Sequence, residues 1–292
     1  MTAADGPLIR CDALRRRLGQ RDLVVVDCRF NLLDPEAGRA AWLAGHVPGA
    51  VYAHLDNDLA GPITADSGRH PLPDVASLSE TFGRLGIGSR SDVVVYDDGS
   101  GGIAARAWWL LRWLGHERVQ LLDGGFKSWL NAGFDTEAGA VTVPPASFDA
   151  AEQAGWVVTT QEVADALARG DLCLVDARDA ERFRGDREPI DAVAGHVPGA
   201  LNFPFADNLE ADGTWRSPDG LRAVWQARLG DRTSGNWAVM CGSGVTACHL
   251  ALAAELAGLR APRLYAGSWS EWIRDPARPV AGGQGFAEPA ST

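Results

Sequence analysis

The heptapeptide AGHVPGA occurs twice in this chain of 292 residues, at positions 44–50 and again at 194–200. Neighbouring segments repeat in the same order: LVVVDCR (23–29) corresponds to LCLVDAR (172–178), and LLDGGFKSW (121–129) corresponds to RLYAGSWSEW (263–272). Ordered similarity across most of both halves indicates that one structural unit has been duplicated. We therefore expect two copies of a single fold.

Each half alternates short β-branched runs with longer amphipathic stretches. Predicted strands are Leu23–Asp27, Val93–Tyr96, Val119–Leu122, Leu172–Asp176 and Trp237–Met240. Helices are predicted over 103–115 and 245–258, with glycine at or just beyond the end of each. This alternation is typical of a parallel sheet covered by helices, so the predicted fold class is α/β, with two tandem domains that are each a mostly parallel sheet flanked by helices.

The same signals predict the domain limits. The N-terminal domain is expected over residues 1–137 and the C-terminal domain over 158–280. Residues 138–157 contain a Pro-Pro pair and are predicted to be a linker. Residues 281–292 are rich in Gly, Pro, Ala and Ser, and we expect a flexible tail there.

Composition and charge exclude several classes of function. The net charge is −11 and no basic stripe is present, so nucleic acid is not an expected partner. The longest apolar runs are far too short for a membrane span, and the N-terminus lacks the apolar core of a secretory signal. Five scattered cysteines without CxxC or zinc-like spacing fit a reducing compartment, which predicts a cytoplasmic protein without a metal site.

Cys241 is the strongest candidate for chemistry. It follows the predicted strand Trp237–Met240, at the sheet edge where ligands bind in open α/β folds. The next residues, Gly242, Ser243 and Gly244, allow a tight loop whose backbone N–H groups converge, and a helix N-terminus adds a positive dipole. A lone cysteine at a strand end is more often a small buried apolar residue, but this loop favours a thiolate nucleophile.

The repeat offers an internal comparison for this cysteine. Alignment of VVVYDDGSGG with WAVMCGSGVT places Asp97 opposite Cys241, which predicts one active and one supporting domain. Cysteine phosphatases close a similar loop with an arginine six residues after the nucleophile, where it grips the phosphate. Here that position is Ala247, so phosphatase activity is disfavoured.

These motifs resemble those of the tandem-domain rhodanese-like sulfurtransferases. The resemblance is carried by CGSGVTA (241–247), the paired GHVPGA motifs, VDAR (175–178) and GSWSEW (267–272), and the loop is most similar to that of 3-mercaptopyruvate sulfurtransferases. It implies an inactive N-terminal domain and a catalytic Cys241 that becomes a persulfide. The N–H groups of Gly242, Ser243, Gly244, Val245 and Thr246 would then stabilise the persulfide anion.

The resemblance also assigns the donor site. The family's substrate arginine corresponds to Arg182 in ERFRG, whose planar fork suits a carboxylate. A second family arginine usually follows a Glu-Pro pair, but Ile190 stands there and Arg187 is the neighbouring candidate. This departure leaves thiosulfate open as the donor. Against thiosulfate, its specific relatives generally carry basic residues just after the cysteine, where this chain has Gly-Ser.

A Ser–His–Asp set of the family corresponds to Ser243, His70 in GRHPLP, and Asp56 in HLDND. It would assist proton transfer on the mercaptopyruvate group, since histidine is the natural proton carrier near neutral pH. The alternative is that His70 only helps the domains to pack. His46 and His196 recur in both copies and are predicted to be structural, as are the pairs Asp27 with Arg29 and Asp176 with Arg178.

The resulting hypothesis is a sulfurtransferase that moves sulfur from 3-mercaptopyruvate through a Cys241 persulfide, releasing pyruvate. The expected acceptors are thioredoxin, a small thiol or cyanide, and no metal or organic cofactor is implied. Two alternatives stay open: a thiosulfate:cyanide sulfurtransferase, and a persulfide carrier that does not turn over small donors. No nucleic acid or membrane partner is expected.

Overall fold

The computed structural model describes residues 6–282, which form two parallel sheets, each within its own structural unit. Among these residues, the first unit comprises 6–61, 72–153 and 209–215, and the second comprises 62–71, 154–208 and 216–282. No helix within this described part of the chain has the length and apolarity needed to cross a membrane.

The sheet of the first unit has five strands in the order β1-β5-β4-β2-β3, all parallel. The strands are β1 (Leu8–Ile9), β2 (Leu23–Asp27), β3 (Val51–Tyr52), β4 (Asp92–Tyr96) and β5 (Val119–Leu122). The helices are α1 (Cys11–Arg17), α2 (Ala37–Ala44), α3 (Leu55–Asp58), α4 (Val75–Arg84), α5 (Ala104–Trp113) and α6 (Gly125–Asn131). Every residue of β4 is buried, as expected for the central strand of a covered parallel sheet.

The sheet of the second unit has four parallel strands in the order β7-β6-β8-β9. The strands are β6 (Cys173–Asp176), β7 (Leu201–Asn202), β8 (Trp237–Met240) and β9 (Arg263–Leu264). The α-helices are α7 (Thr160–Arg169), α8 (Ala180–Arg184), α9 (Pro218–Leu229), α10 (Ala247–Leu256) and α11 (Ser268–Trp272), with 3₁₀ turns at Phe205–Asn208 and Gly230–Ser234.

The predicted fold class is confirmed, with one parallel α/β sheet in each half of the tandem. Three predicted strands have the predicted bounds, and β4 and β6 differ from them by one residue at their starts. The strands β1, β3, β7 and β9 were not predicted, because two residues are too few to show an alternating pattern.

The helices α5 and α10 follow the strands β4 and β8 and end in the same way. After α10, the N–H of Gly258 bonds the carbonyl of Glu255 and the N–H of Leu259 bonds that of Ala254. Gly258 has a φ of +68°, the left-handed conformation that this type of helix end requires. Residues Ala247–Ala254 are all buried, which explains why the sequence of α10 is apolar all round.

Residues 138–153, within the predicted linker, pack along the first unit. Their backbone hydrogen-bonds to it at several places, including Ala146 N–H to the Gly83 carbonyl and Ala151 N–H to the Leu114 carbonyl, both at 2.9 Å. Phe148 is buried, with its ring centre 5.2 Å from that of Phe82. The two compact units therefore divide the chain differently from the predicted domain limits, which stay a prediction.

Residues 62–71 lie in the N-terminal half of the sequence, yet they belong to the second unit. The Arg274 Nε–H donates to the Ser67 carbonyl at 3.2 Å, and the Arg69 backbone N–H donates to Ser270 Oγ at 3.0 Å. At the other end of this unit, Ala281 forms an antiparallel bridge with His196. The rest of the predicted tail, 283–292, lies outside the described residues.

Candidate active site

The Cys241 thiol lies directly after β8, an inner strand of its sheet, and is 2% exposed. Its sulfur accepts a hydrogen bond from the Gly244 N–H at 3.1 Å. Gly244 has a φ of +77°, and a Cβ there would lie 2.4 Å from the Ala266 carbonyl oxygen. Only glycine fits this turn, which brings its N–H back onto the sulfur.

The N-terminus of α11 fixes the backbone around Cys241. Ser268 Oγ accepts from the Cys241 N–H at 3.0 Å and donates to the Tyr265 carbonyl at 2.8 Å. The N–H of Trp269 bonds the Cys241 carbonyl, and that of Ser270 bonds the Gly242 carbonyl. Within residues 6–282, Ser268 is the one non-glycine residue with a positive φ, +54°, a strained conformation at a site that needs rigid placement.

His70 and Ser243 lie together, as the family resemblance implied. The His70 Nδ1 is 2.7 Å from Ser243 Oγ, and the two side chains are 4% and 6% exposed. Segment 62–71 carries His70 to the loop of Cys241 within the second unit. Asp56 belongs to the first unit, in α3, where its N–H donates to His54 Nδ1 at 3.1 Å. Its part in the set stays a prediction.

Arg182 is on α8 and faces the same loop. A Cβ on Gly242 would lie 3.5 Å from Arg182 Nη2. The guanidinium is held by Glu188 at 2.9 Å and by Asp191 at 3.0 Å. Burial raises the pKa of the Glu188 carboxyl, but hydrogen bonds from Arg182 and from the backbone outweigh this effect and hold the pKa below its usual value. Two carboxylates therefore hold Arg182 in place beside the loop of Cys241.

Arg187 and Ile190 lie on the segment that follows Arg182. Arg187 is exposed, and Ile190 is 39% exposed with its N–H bonded to Glu188 Oε1. The part of Arg187 in donor binding stays a prediction. The structure also brings Arg69 to the loop, with Nη2 3.2 Å from a Cβ on Gly242. Sequence reasoning missed Arg69, although it directly precedes His70 in the motif GRHPLP.

The expected cradle of backbone donors is seen in part. Gly244 supplies the hydrogen bond to the sulfur, while Val245 is buried and Thr246 precedes the first residue of α10. The contributions of the N–H groups of Gly242, Ser243, Val245 and Thr246 to a bound persulfide stay predictions.

The corresponding loop of the first unit holds a complete anion site. The carboxylate of Asp97, aligned with Cys241, is 5% exposed and accepts four backbone N–H bonds of 2.9–3.1 Å. The donors are Gly99, Gly101, Ile103 and Ala104. The turn that follows this strand is thus built to bind a negative charge, and in the first unit the chain's own carboxylate occupies it.

The repeated ion pairs are structural, as predicted. Arg178 forms a fork on Asp176 at 2.7–3.2 Å and donates to the Gly195 carbonyl at 2.9 Å. Arg29 binds Asp27 in the same way in the first unit and donates to the carbonyl of the glycine before His46. Each pair therefore ties the end of a strand to the loop of the AGHVPGA repeat.

The repeated histidines are also structural. His46 Nδ1 lies 2.7 Å from the Trp42 carbonyl, and His196 Nδ1 lies 2.7 Å from that of Phe183. The His196 ring stacks on Phe183 with 3.8 Å between ring centres, and burial lowers the pKa of His196. Both histidines brace the same turn in the two copies.

The other cysteines lie in environments that suppress the thiolate. Burial raises the pKa of Cys11 to about 11 and that of Cys28 well above the usual value, and it also raises the pKa of Cys173. Cys248 is fully buried on α10, and its thiol donates to the Gly244 carbonyl at 3.3 Å. The sulfur of Cys241 lies in the turn after β8, where it accepts the Gly244 N–H.

Two parallel α/β units, with Cys241 after an inner strand of one and the Asp97 carboxylate at the aligned position of the other, define a tandem-domain protein. The chain belongs to the rhodanese family: the rhodanese-like domain model matches residues 11–132 and 159–275.

Proteins similar to this chain carry the names of sulfurtransferases. "Probable 3-mercaptopyruvate sulfurtransferase" of Pseudomonas aeruginosa is 47% identical over 94% of this chain and 98% of its own length. "Thiosulfate sulfurtransferase" of Bos taurus is 36% identical over 86% of this chain and 85% of its own. The crystal structure of SseA from Escherichia coli, a 3-mercaptopyruvate sulfotransferase, superimposes with a TM-score of 0.80 at 31% identity, covering 91% of this chain and 99% of that one.

Proposed function

We propose that the protein is a sulfurtransferase that takes sulfur from 3-mercaptopyruvate, carries it as a persulfide on Cys241, and passes it to a thiol or to cyanide. One observation carries this proposal. The thiol of Cys241 and the guanidinium of Arg182 flank Gly242, so a small molecule can present its sulfur to one and its carboxylate to the other.

In the first half-reaction, the Cys241 thiolate attacks the sulfur of the donor. A sulfur–sulfur bond forms, the carbon–sulfur bond of the donor breaks, and its electron pair passes to the carbon that becomes the methyl group of pyruvate. The thiol proton of the donor is transferred to that carbon. The products are pyruvate and the Cys241 persulfide anion, so atoms and charge balance without any further reactant.

His70 and Ser243 are suited to move this proton. Their 2.7 Å contact joins a ring nitrogen to a hydroxyl on the residue two positions after the nucleophile. Histidine accepts and returns a proton near neutral pH, which makes the pair a relay from the donor's thiol towards the leaving enolate. Because both side chains are buried, bulk water competes poorly for the proton.

The turn after β8 is suited to hold the persulfide. A persulfide places its charge about 2 Å beyond the cysteine sulfur. In the first unit, the Asp97 carboxylate extends from the aligned position into a ring of backbone donors. By analogy, the terminal sulfur on Cys241 would occupy comparable space and be stabilised by backbone N–H groups.

In the second half-reaction, an acceptor thiolate or cyanide attacks the terminal sulfur. The sulfur–sulfur bond of the enzyme breaks, Cys241 recovers its thiolate, and the acceptor leaves as a persulfide or as thiocyanate. Thioredoxin and small thiols would serve as acceptors in the cytoplasm, the compartment that we propose for a protein with five free cysteines.

Thiosulfate is the second candidate donor. Relatives of this chain carry the names of both mercaptopyruvate and thiosulfate enzymes. Arg69 and Arg182 both lie beside Gly242, and two guanidiniums would favour a dianion as well as a carboxylate. In that reaction the Cys241 thiolate takes the outer sulfur and sulfite leaves, with no proton transferred.

The test is steady-state kinetics with 3-mercaptopyruvate and with thiosulfate, using cyanide as the common acceptor. We expect kcat/KM for 3-mercaptopyruvate to be higher by about tenfold, or about 1.4 kcal/mol of transition-state preference. The variant C241A must be inactive with both donors, while C248A must keep the wild-type preference. A higher kcat/KM for thiosulfate would overturn the proposed donor, and turnover by C241A would overturn the proposed nucleophile. Loading of Cys241 without turnover would identify a persulfide carrier.

A further inference from the structure

The first unit contains an open cavity of about 790 Å³ that the proposed function does not use. Residues of α2, β3 and α3 line it together with part of the segment 138–153. The lining side chains that bear on binding are Glu36, Arg39, Trp42, Tyr52, His54 and Val143. Pockets that bind small organic molecules usually enclose about 300–1,000 Å³, so this cavity has the size of a ligand site.

His54 presents a buried hydrogen-bond donor that lacks an acceptor. Its side chain is 6% exposed, and Nδ1 accepts from the Asp56 N–H at 3.1 Å. This nitrogen therefore carries no proton, and the neutral ring has its proton on Nε2. Within residues 6–282, Nε2 has no hydrogen-bond partner. A buried donor without an acceptor is destabilising, and an acceptor bound in the cavity would relieve that cost.

The neighbours of His54 fix the direction of Nε2. The ring meets Phe30 and Tyr52 edge to face, with ring centres 5.3 Å and 6.2 Å apart. Because Nδ1 faces α3, Nε2 lies on the opposite edge, where Glu36 Oε1 is 3.9 Å away. This distance is too long for a hydrogen bond. The Glu36 side chain is 75% exposed and does not cap α2, so a ligand can displace it.

The charged groups of the cavity favour an anion. Arg39 is exposed, and its side chain forms neither an ion pair nor a hydrogen bond within the described part of the chain. Asp58 is already neutralised, since one oxygen accepts from Arg84 at 2.5 Å and the other from the His54 N–H at 2.7 Å. A carboxylate in the cavity would therefore have a neutral donor in His54 and a cation in Arg39.

The remaining wall of the cavity is apolar and largely aromatic. Tyr52 stacks on Trp42 with 5.7 Å between ring centres. The polar atoms of both rings are used within the protein, because Trp42 Nε1–H donates to the Ala50 carbonyl and the Tyr52 hydroxyl donates to the Arg29 carbonyl. Val143 is half-buried in the same lining. Such a surface suits the flat apolar body of an aromatic ligand.

We propose that this cavity binds an aromatic monocarboxylate. One carboxylate oxygen accepts from the His54 Nε2–H, in the direction from which Glu36 approaches, and the carboxylate pairs with Arg39. The ring of the ligand lies against the aromatic wall. All of these residues belong to the first unit, so the copy without the cysteine has a binding function of its own.

The test is titration of the full chain with phenylacetate, followed by ligand-observed NMR. For a ligand of about ten heavy atoms we expect a Kd of about 1 mM or lower. Phenylacetamide has the same shape without the charge, and it should bind about tenfold more weakly. Equal affinity for the two probes, or no binding of phenylacetate to the wild type, would overturn the proposal.

Two substitutions of His54 separate its free donor from its bond to α3. In H54N the side-chain oxygen can replace Nδ1 and keep the bond to the Asp56 N–H, but nothing replaces the Nε2–H. In H54Q the longer amide can donate from the place of Nε2, and the cap is lost. We expect H54N to weaken phenylacetate binding about tenfold and H54Q to change it by less than about threefold. In urea unfolding, H54Q should be the less stable of the two.

The charged residues provide matched variants. R39Q should weaken binding of phenylacetate, whereas R90Q removes an exposed arginine outside the cavity and must leave binding unchanged. E36A removes a competing acceptor of like charge and should tighten binding.

Three results would contradict the proposal. Wild-type affinity in H54N would place the ligand elsewhere on the protein. Equal losses in H54N and H54Q would mean that the ring acts only by bracing α3. Weaker binding by E36A would show that the carboxylate does not lie beside Nε2.

Discussion

Substitution of His70 by asparagine will show whether this residue carries a proton or only packs against the nucleophile loop. The side-chain amide of asparagine can take the place of the imidazole Nδ1, the atom that lies 2.7 Å from Ser243 Oγ. H70N can therefore keep the hydrogen bond between segment 62–71 and the loop. It removes the imidazole, which is the chemical group that a proton relay through this residue needs.

The expected magnitude follows from the difference between the two donors. Reaction with 3-mercaptopyruvate moves a proton from sulfur to carbon, whereas reaction with thiosulfate releases sulfite and moves none. A positioned general acid–base group contributes about 100-fold or more to rate, so we expect H70N to lower kcat/KM for 3-mercaptopyruvate by about that factor. With thiosulfate the loss of kcat/KM should stay within about threefold. No proton is transferred in that reaction, and H70N keeps the hydrogen bond to Ser243, which is worth about 1 kcal/mol.

The assay measures kcat/KM for both donors at one cyanide concentration, together with urea unfolding of each variant. S243A, which removes the partner hydroxyl, should show the same donor-selective loss. H196N is the matched control, because His196 also presents Nδ1 to a protein oxygen, the Phe183 carbonyl, but lies in the structural turn. It should lower stability without changing the preference between donors.

Equal losses with both donors would refute the proton-relay role. In that case His70 would act only by holding the loop, and the alternative interpretation from the sequence, that it serves packing, would be correct. A donor-selective loss in H70N without one in S243A would instead show that the proton reaches the histidine directly.

Three further predictions concern charged side chains that ion pairs or hydrogen bonds hold in place. R178M should destabilise the protein by about 3–5 kcal/mol in urea unfolding, because it leaves the fully buried Asp176 carboxylate without its cation. D97A should lower stability by about 3 kcal/mol, since four backbone donors lose their acceptor, yet it should leave the ratio of kcat/KM for the two donors unchanged. E188Q should destabilise at pH 7 and progressively less in acid. Because the pKa of the Glu188 carboxyl is lowered in the folded protein, its ionised form stabilises the fold at any pH above the usual pKa of a glutamate. This stabilisation is lost as the pH falls through the lowered pKa of the folded state. The unfolding curves of E188Q and the wild type should therefore converge in acid.

The sequence alone predicts the frame around Cys241 well, because that frame is local. A buried strand, a turn of small residues and an apolar helix follow one another within 22 residues, 237–258. Each has a signal that depends on neighbouring positions only, and the bounds of β8 are as predicted. The duplication strengthens these signals, since the aligned loops at Asp97 and Cys241 both follow a strand and precede a buried helix.

The contacts that complete the site could not be read in the same way. Arg69 meets Asp191 across a separation of 122 residues and Ser270 across 201. A periodic sequence pattern does not predict contacts between residues that are so far apart in the chain. Aspartate and serine are also common on solvated surfaces. Residue type alone therefore does not predict that Asp191, Ser268 and Ser270 contribute to the site. The position of Arg69 beside His70 was the one clue available.

The two loops show why only one copy is suited to react. In the first unit the Asp97 carboxylate has hydrogen bonds on both oxygens, so its charge is fully satisfied and it is a poor nucleophile. In the second unit the Cys241 sulfur receives a hydrogen bond from Gly244, and its turn lies beside Arg69 and Arg182. In the first unit, backbone N–H groups of the turn therefore bind a permanent charge, that of the Asp97 carboxylate. In the second unit, the turn is suited to stabilise the charge on the outer sulfur of a persulfide, which is present during only part of each catalytic cycle.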